Sequence, residues 1–260
     1  MIDRAVRRML EKYADLYENA DFLKDDPSQF MHKVEGDANR EATAFLASCL
    51  SFGSRKQFLP KIQGLIDCAE GDVDGWVRSG RFARTMRCGC RECFYRFFTK
   101  DHMHGFLRDY RRLLDEHGTL GAYVREAAAG DGYAAVKAIC RRFGAGGEAA
   151  VVPKSAQSAC KRVCMFLRWM VRSGSPVDLG LWAGFIDRRT LVMPLDTHVV
   201  RQSMRLGLLP SATASMSAAR RLTAALCEVF PDDPLRGDFA LFGYGVNHGG
   251  VWPQSPEERR

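Results

Sequence analysis

Apolar residues recur at helical spacing along nearly the whole chain, and this periodicity constrains the fold more than any other feature. Val6, Met9, Leu10, Tyr13, Leu16 and Tyr17 follow the i, i+3, i+4, i+7 pattern, and Ala42, Phe45, Leu46, Cys49 and Leu50 repeat it. The same reading predicts helices near 57–69, 104–117, 131–142, 155–173, 197–206, 217–229 and 234–246. No convincing set of segments alternates with the period of two that a half-buried strand needs, so the expected class is all-α. Local punctuation agrees. Asp196 stands where an N-cap would, Gly207 follows a helix, Asp233 and Pro234 read as N-cap and first helical residue, and the glycine-rich run at 144–147 marks a loop. With 46% hydrophobic residues in 260, the chain can bury a sizeable core as one large domain or two closely packed lobes.

Charge narrows the partner. The formal net charge is +7, and residues 78–112 alone hold ten Arg or Lys against three acids. Five further cations (Lys154, Lys161, Arg162, Arg168 and Arg172) lie between Glu148 and Asp178 with no acid among them. Such surfaces attract polyanions, with an affinity that falls steeply with salt; the plainer reading of a basic stripe is a solvated helix face. No apolar run approaches the roughly 20 residues of a membrane span. The N-terminal stretch is charged and amphipathic, without the apolar core of a signal peptide. The expectation is a cytoplasmic protein with no membrane partner. Nine scattered cysteines, an odd count, read as reduced thiols.

Two segments carry candidate chemistry. In SACKRVCMFLRWMVR (158–172), Val163, Phe166, Leu167, Met170 and Val171 form an apolar face, while Lys161, Arg168 and Arg172 share another side. A lysine there is either a surface residue at a helix start or an amine nucleophile. In PLDTHVVRQSMRLGLL (194–209), Pro194 stiffens the approach to a helix that Asp196 opens. A carboxylate at a helix N-terminus is kept ionised by free N–H groups and the helix dipole. It is either a cap alone or a group that stabilises positive charge developing on a sugar. His198 could orient a neighbour or simply pack.

Together these segments resemble the helix-hairpin-helix (HhH-GPD) DNA glycosylase superfamily, in which a lysine precedes an apolar helix and a later Val-Asp-x-His segment supplies an aspartate. The wording CKRVCMFLRWMVR, then GLW, PLDTHVVRQSMRLGLL and DFALFGYGVNHG, looks closest to a bacterial family without an assigned function. That family is akin to the archaeal 8-oxoguanine glycosylase branch. EATAFLASCLSFGSRKQ (41–57) resembles the early helix and DNA-contacting turn of the same fold. The resemblance implies a two-lobed helical fold with a central cleft, residues 36–172 forming one lobe and 1–35 with 173–260 the other. It implies a monomeric, nucleoid-associated enzyme of base-excision repair with glycosylase and AP lyase activity, acting on double-stranded DNA with a damaged base, 8-oxoguanine favoured, or an abasic site. Lys161 and Asp196 would be catalytic. Arg55, Lys56, Lys154, Arg162, Arg168, Arg172, His198 and Arg201 would contact DNA, and Phe52, Cys164, Met165 and Tyr244 would line the base pocket.

The hairpin departs from the superfamily pattern, since Gln157 and Ala159 occupy its two glycine positions. Lys154 and Arg162 would then compensate in holding a phosphate. No cysteine follows Cys227, so the four-cysteine iron–sulfur motif of endonuclease III relatives is missing. Cys88, Cys90 and Cys93, with His102 and His104, have ligand types compatible with zinc, but a second CxxC is missing. Small core cysteines are the preferred reading, and neither metal nor cofactor is expected. Two rivals remain: a DNA-binding protein of the same fold without catalysis, and an RNA-binding protein.

Overall fold

The computed structural model describes residues 2–144 and 151–248, and it is all-α apart from one small hairpin. Residues 145–147 of the expected loop lie outside the described residues. The chain opens with α1 (Arg4–Tyr17), capped by the Asp3 carboxylate on the N–H groups of Ala5 and Val6. Two 3-10 turns, Ala20–Leu23 and Pro27–His32, lead to α2 (Asp37–Leu50), followed by α3 (Arg55–Cys68) and α4 (Val73–Arg78). A hairpin of β1 (Cys93–Tyr95) and β2 (Phe98–Thr99) precedes α5 (Lys100–His117), α6 (Leu120–Ala128) and α7 (Gly132–Gly144). The later part holds α8 (Lys161–Val171), α9 (Thr197–Arg205) and α10 (Met216–Cys227). It ends in α11 (Arg236–Asp238), a π-helical turn (Phe239–Gly243) and α12 (Tyr244–Asn247).

The core is organised around α2, whose residues Glu41–Leu50 are all buried. It packs against α8 and the Pro27–His32 turn, while α1 packs against the π-helical turn near the C-terminus. Phe45 sits amid Phe106, Tyr110, Phe143 and Phe166, with ring centroids 5.1–5.7 Å away. Each such ring removed from water stabilises the fold by about 1.5–3 kcal/mol. Glu41 is built into this core. Glu41 accepts hydrogen bonds from Leu120 N (2.8 Å), Gly121 N (3.1 Å) and Trp182 Nε1 (2.9 Å), so a side chain of α2 caps α6. Its carboxyl is nonetheless pushed above the usual range, because burial outweighs those three donors. Gly121 has no alternative here: a Cβ would lie 2.6 Å from Trp182 Nε1 and 2.8 Å from Glu41 Oε2.

Three expectations are corrected. The helix read from 155 starts at Lys161, because Cys160 takes a left-handed backbone (φ 46°) that a right-handed helix cannot run through. The C-terminal helix starts at Arg236 rather than Pro234, and Asp233 is no cap: its carboxylate is bonded by Arg172 instead. The β1–β2 hairpin was not expected, its strands of three and two residues being too short to display an alternation. Helices α4 and α6, six and nine residues long, also went unread. Among the described residues no helix is long and apolar enough to cross a membrane.

Candidate active site

A cleft of about 1030 Å³ runs between the start of α8, the start of α9 and the C-terminal helical stretch. Lys161 and Asp196 both line it, as the first residue of α8 and the N-cap of α9. Asp196 Oδ1 accepts from Val199 N at 2.8 Å, and its other oxygen has no hydrogen bond among the described residues. The local chain explains both placements. Extended residues 191–195 are buried and deliver Asp196 to the cleft wall. Before α8, Ser158 pairs with Ser215 and the Gln157 carbonyl accepts from Met216 N (3.3 Å), which anchors the turn that presents Lys161. The left-handed residue of that turn is Cys160, not Gln157 or Ala159, so neither expected glycine position needs a glycine's backbone.

Asp238 is a further ionisable group on the cleft, one that the sequence reading passed over. It heads the DFALFGYGVNHG segment and is 5% exposed. Burial pushes its carboxyl up to about 6, Arg168 opposes that shift, Asp196 adds to it and Lys161 again opposes it. Asp196 and Lys161 thus act electrostatically on one buried carboxyl. The residue precedes the π-helical turn Phe239–Gly243, a rare irregularity that often marks functional sites.

Arg168 and Arg172, expected at DNA, are buried cations paired with carboxylates, Arg168 in the cleft wall and Arg172 behind it. Arg168 is 3% exposed; its Nε donates to Asp178 (3.2 Å) and its Nη1 to Asp238. Arg172 is 2% exposed and bonds Asp178, Asp233 (2.8 Å) and Glu18 (2.6 Å). Both guanidinium groups also lie near the Phe239 ring, 4.6 and 5.1 Å from its centroid. The sequence showed five cations with no local acid, but the neutralising carboxylates come from positions 18, 178, 233 and 238. Two base-pocket assignments are corrected as well. Cys164 is buried, donates to the Ala159 carbonyl (3.6 Å) and does not line the cleft. Tyr244 is buried edge-on against Tyr13 (4.6 Å) and stacked on His248 (4.4 Å), also away from the cleft wall.

The other named residues divide between the cleft and its surroundings. Arg55, Arg201, His198, Phe52 and Met165 line the cleft. Arg55 stands 5.3 Å over the Phe242 ring, and His198 meets the same ring edge-on at 5.9 Å. Arg162 lines it too, donating to the Cys49 carbonyl with its guanidinium 5.0 Å from Phe52. Lys56 and Lys154 are exposed and stand off the cleft wall. Cys160, which flanks Lys161 closely enough in sequence to approach a base pocket or simply to pack, lines the cleft with its sulfur 3.7 Å from Cys140 Sγ. Among the described residues no group of three or more His, Cys, Asp or Glu could hold a metal ion. Cys93 Sγ bonds the Arg96 carbonyl, His102 completes the capping box of α5, and His104 Nδ1 lies 2.7 Å from the Met86 carbonyl.

A family model described as a protein of unknown function, DUF2400, matches residues 26–247. No curated protein and no solved structure matches the chain.

Proposed function

The chain belongs to the DUF2400 family of proteins of unknown function, and from that premise we propose that it is a DNA base-excision enzyme of the helix-hairpin-helix (HhH-GPD) glycosylase type. The proposed activity is bifunctional, N-glycosylase and AP lyase, on double-stranded DNA carrying a damaged base, 8-oxoguanine favoured, or an abasic site. The observation that carries the reading is an amine and a carboxylate, Lys161 and Asp196, lining one cleft whose other side chains include Arg55, Arg162 and Arg201. In this reading residues 36–172 form the central lobe, and 1–35 with 173–260 the second. The enzyme works as a monomer in the cytoplasm, associated with the nucleoid, and needs neither metal nor cofactor.

The geometry supports a definite division of labour. The Lys161 amine nitrogen forms a bond to C1′ as the glycosidic C–N bond breaks, and the proton lost by the amine leaves with the base. Asp196, at the N-cap of α9, stabilises the positive charge that develops on the sugar. Cleavage of C1′–O4′, with the remaining N–H proton passing to O4′, then yields an imine, and β-elimination removes a C2′ proton as the 3′ C–O bond breaks and the 3′ phosphate leaves. Arg55 and Arg201 are free of acidic partners among the described residues and supply the phosphate-directed charge.

The test is borohydride trapping on duplexes carrying 8-oxoguanine, uracil, hypoxanthine, an oxidised pyrimidine or an abasic site, with Lys161→Gln as control. An adduct that vanishes in the variant supports the amine mechanism and identifies the lesion class. No adduct together with persistent duplex binding defeats it in favour of a non-catalytic DNA-binding protein. Stronger binding to RNA duplex than to DNA at matched salt would favour the RNA reading.

A further inference from the structure

Phe97 is 63% exposed, more than any other large hydrophobic residue among those described. It stands at the tip of the β1–β2 hairpin, where the pairing of Tyr95 with Phe98 leaves Arg96 and Phe97 as a two-residue turn. Such turns favour Gly, Asn or Asp; here Arg96 holds the left-handed backbone (φ 53°) and an aromatic ring follows it. One side of the Phe97 ring packs on Phe52 and Phe98, and most of the side chain is left in water.

The tip is firmly held. The Tyr95 hydroxyl donates to the Phe52 carbonyl, and the Phe52 ring meets Tyr95, Phe97 and Phe98 at 4.9, 5.2 and 5.4 Å. Phe98 is fully buried and touches Phe97 edge-on at 4.6 Å. The hairpin sits so close to the Gly53 turn (φ 83°) that a Cβ there would lie 2.7 Å from Arg96 Nη1 and 3.1 Å from the Tyr95 hydroxyl. Phe52 and Gly53 line the cleft, so the hairpin buttresses the cleft rim and fixes the Phe97 ring beside it. The neighbourhood is cationic. Residues 81–100 carry six Arg or Lys against one acid, Glu92, which pairs with Lys100. Arg84, Arg87, Arg91 and Arg96 are exposed and have no acidic partner among the described residues.

A rigid aromatic face in a basic surface fits a polyanion built of stacked rings. We propose that Phe97 is a stacking wedge, entering the base stack of duplex DNA lying across the cleft and filling the gap left by the nucleotide drawn towards Lys161. This rests on the reading of the cleft as a base-excision site. Loss of one aromatic–base stack should weaken binding to gapped duplex by about tenfold.

The probe is a duplex with a central tetrahydrofuran abasic analogue, which has a gap but whose C1′ carries no leaving group for Lys161 to displace, compared with the fully paired duplex at one salt concentration. Wild type should prefer the gapped duplex. Phe97→Ala should lose about tenfold of that preference while its affinity for paired duplex stays unchanged, and Phe97→Leu should keep part of it. Unchanged circular dichroism and paired-duplex affinity exclude misfolding of the variant. If Phe97→Ala retains the full preference, the wedge is wrong while the base-excision reading stands. If wild type has no preference, the wedge is also wrong, and trapping through Lys161, which does not depend on Phe97, decides separately whether that reading falls.

Discussion

Replacing Arg168 by leucine removes a buried guanidinium that serves two carboxylates, Asp178 through Nε and Asp238 through Nη1. Asp178 keeps Arg172, but Asp238 is left with no guanidinium among the described residues. Breaking a buried ion pair from one side costs about 3–5 kcal/mol. The sign of the pH dependence follows from Asp238. Its folded pKa, about 6 against 3.8, is raised, so the folded state holds a proton that the unfolded chain has released between those values. Stability is therefore gained as pH falls through the folded value, and the wild-type penalty, on the order of 3 kcal/mol, is present in full above it. Without Arg168, which lowers this pKa, the carboxyl titrates at still higher pH, so protonation relieves the variant earlier. Urea unfolding followed by circular dichroism should show a loss of about 3–5 kcal/mol at pH 8, shrinking to roughly half at pH 5. Under conditions where the variant is folded, its duplex affinity and salt slope should match wild type. A loss below about 1 kcal/mol, with a salt slope reduced by about one as expected for Arg201→Ala, would place the guanidinium at a DNA surface and refute the buried-network account.

Two further substitutions separate roles that one residue can combine. Asp196→Ala should lose both the α9 cap, about 1 kcal/mol, and the trapped adduct, whereas Asp196→Ser should restore the cap and still trap at least about 100-fold more slowly; wild-type trapping by the serine variant would reduce Asp196 to a cap. Gly121→Ala drives a methyl into Trp182 Nε1 and Glu41 Oε2 and should lower stability by about 1–3 kcal/mol; an unchanged urea midpoint would show that α6 can shift to make room.

Long amphipathic segments were legible because their periodicity is local. The pattern around Phe45 in α2 is visible in any window of a dozen residues, and so is that of α5 and α10. The Asp196 cap was legible too, since an N-cap is a relation between a side chain and the N–H three residues on. The same locality explains the misreadings. Nothing between Glu148 and Asp178 tells that Arg168 and Arg172 meet Glu18, Asp233 and Asp238, because partners up to 154 residues away are chosen by the packing of α8 against both ends of the chain. Left-handed Cys160, which shortens α8 and makes Lys161 its first residue, carries no compositional mark comparable to a glycine. By itself the sequence determined the helical class, most helix positions, the excess of positive charge and the two segments holding Lys161 and Asp196. Only the tertiary structure decided which cations remain free on the cleft and which are neutralised within the core, that Asp238 joins the pair, and that Phe97 stays in solvent at the rim. Charge and burial at a residue depend on everything within a few ångströms, and in a folded chain most of those neighbours are distant in sequence.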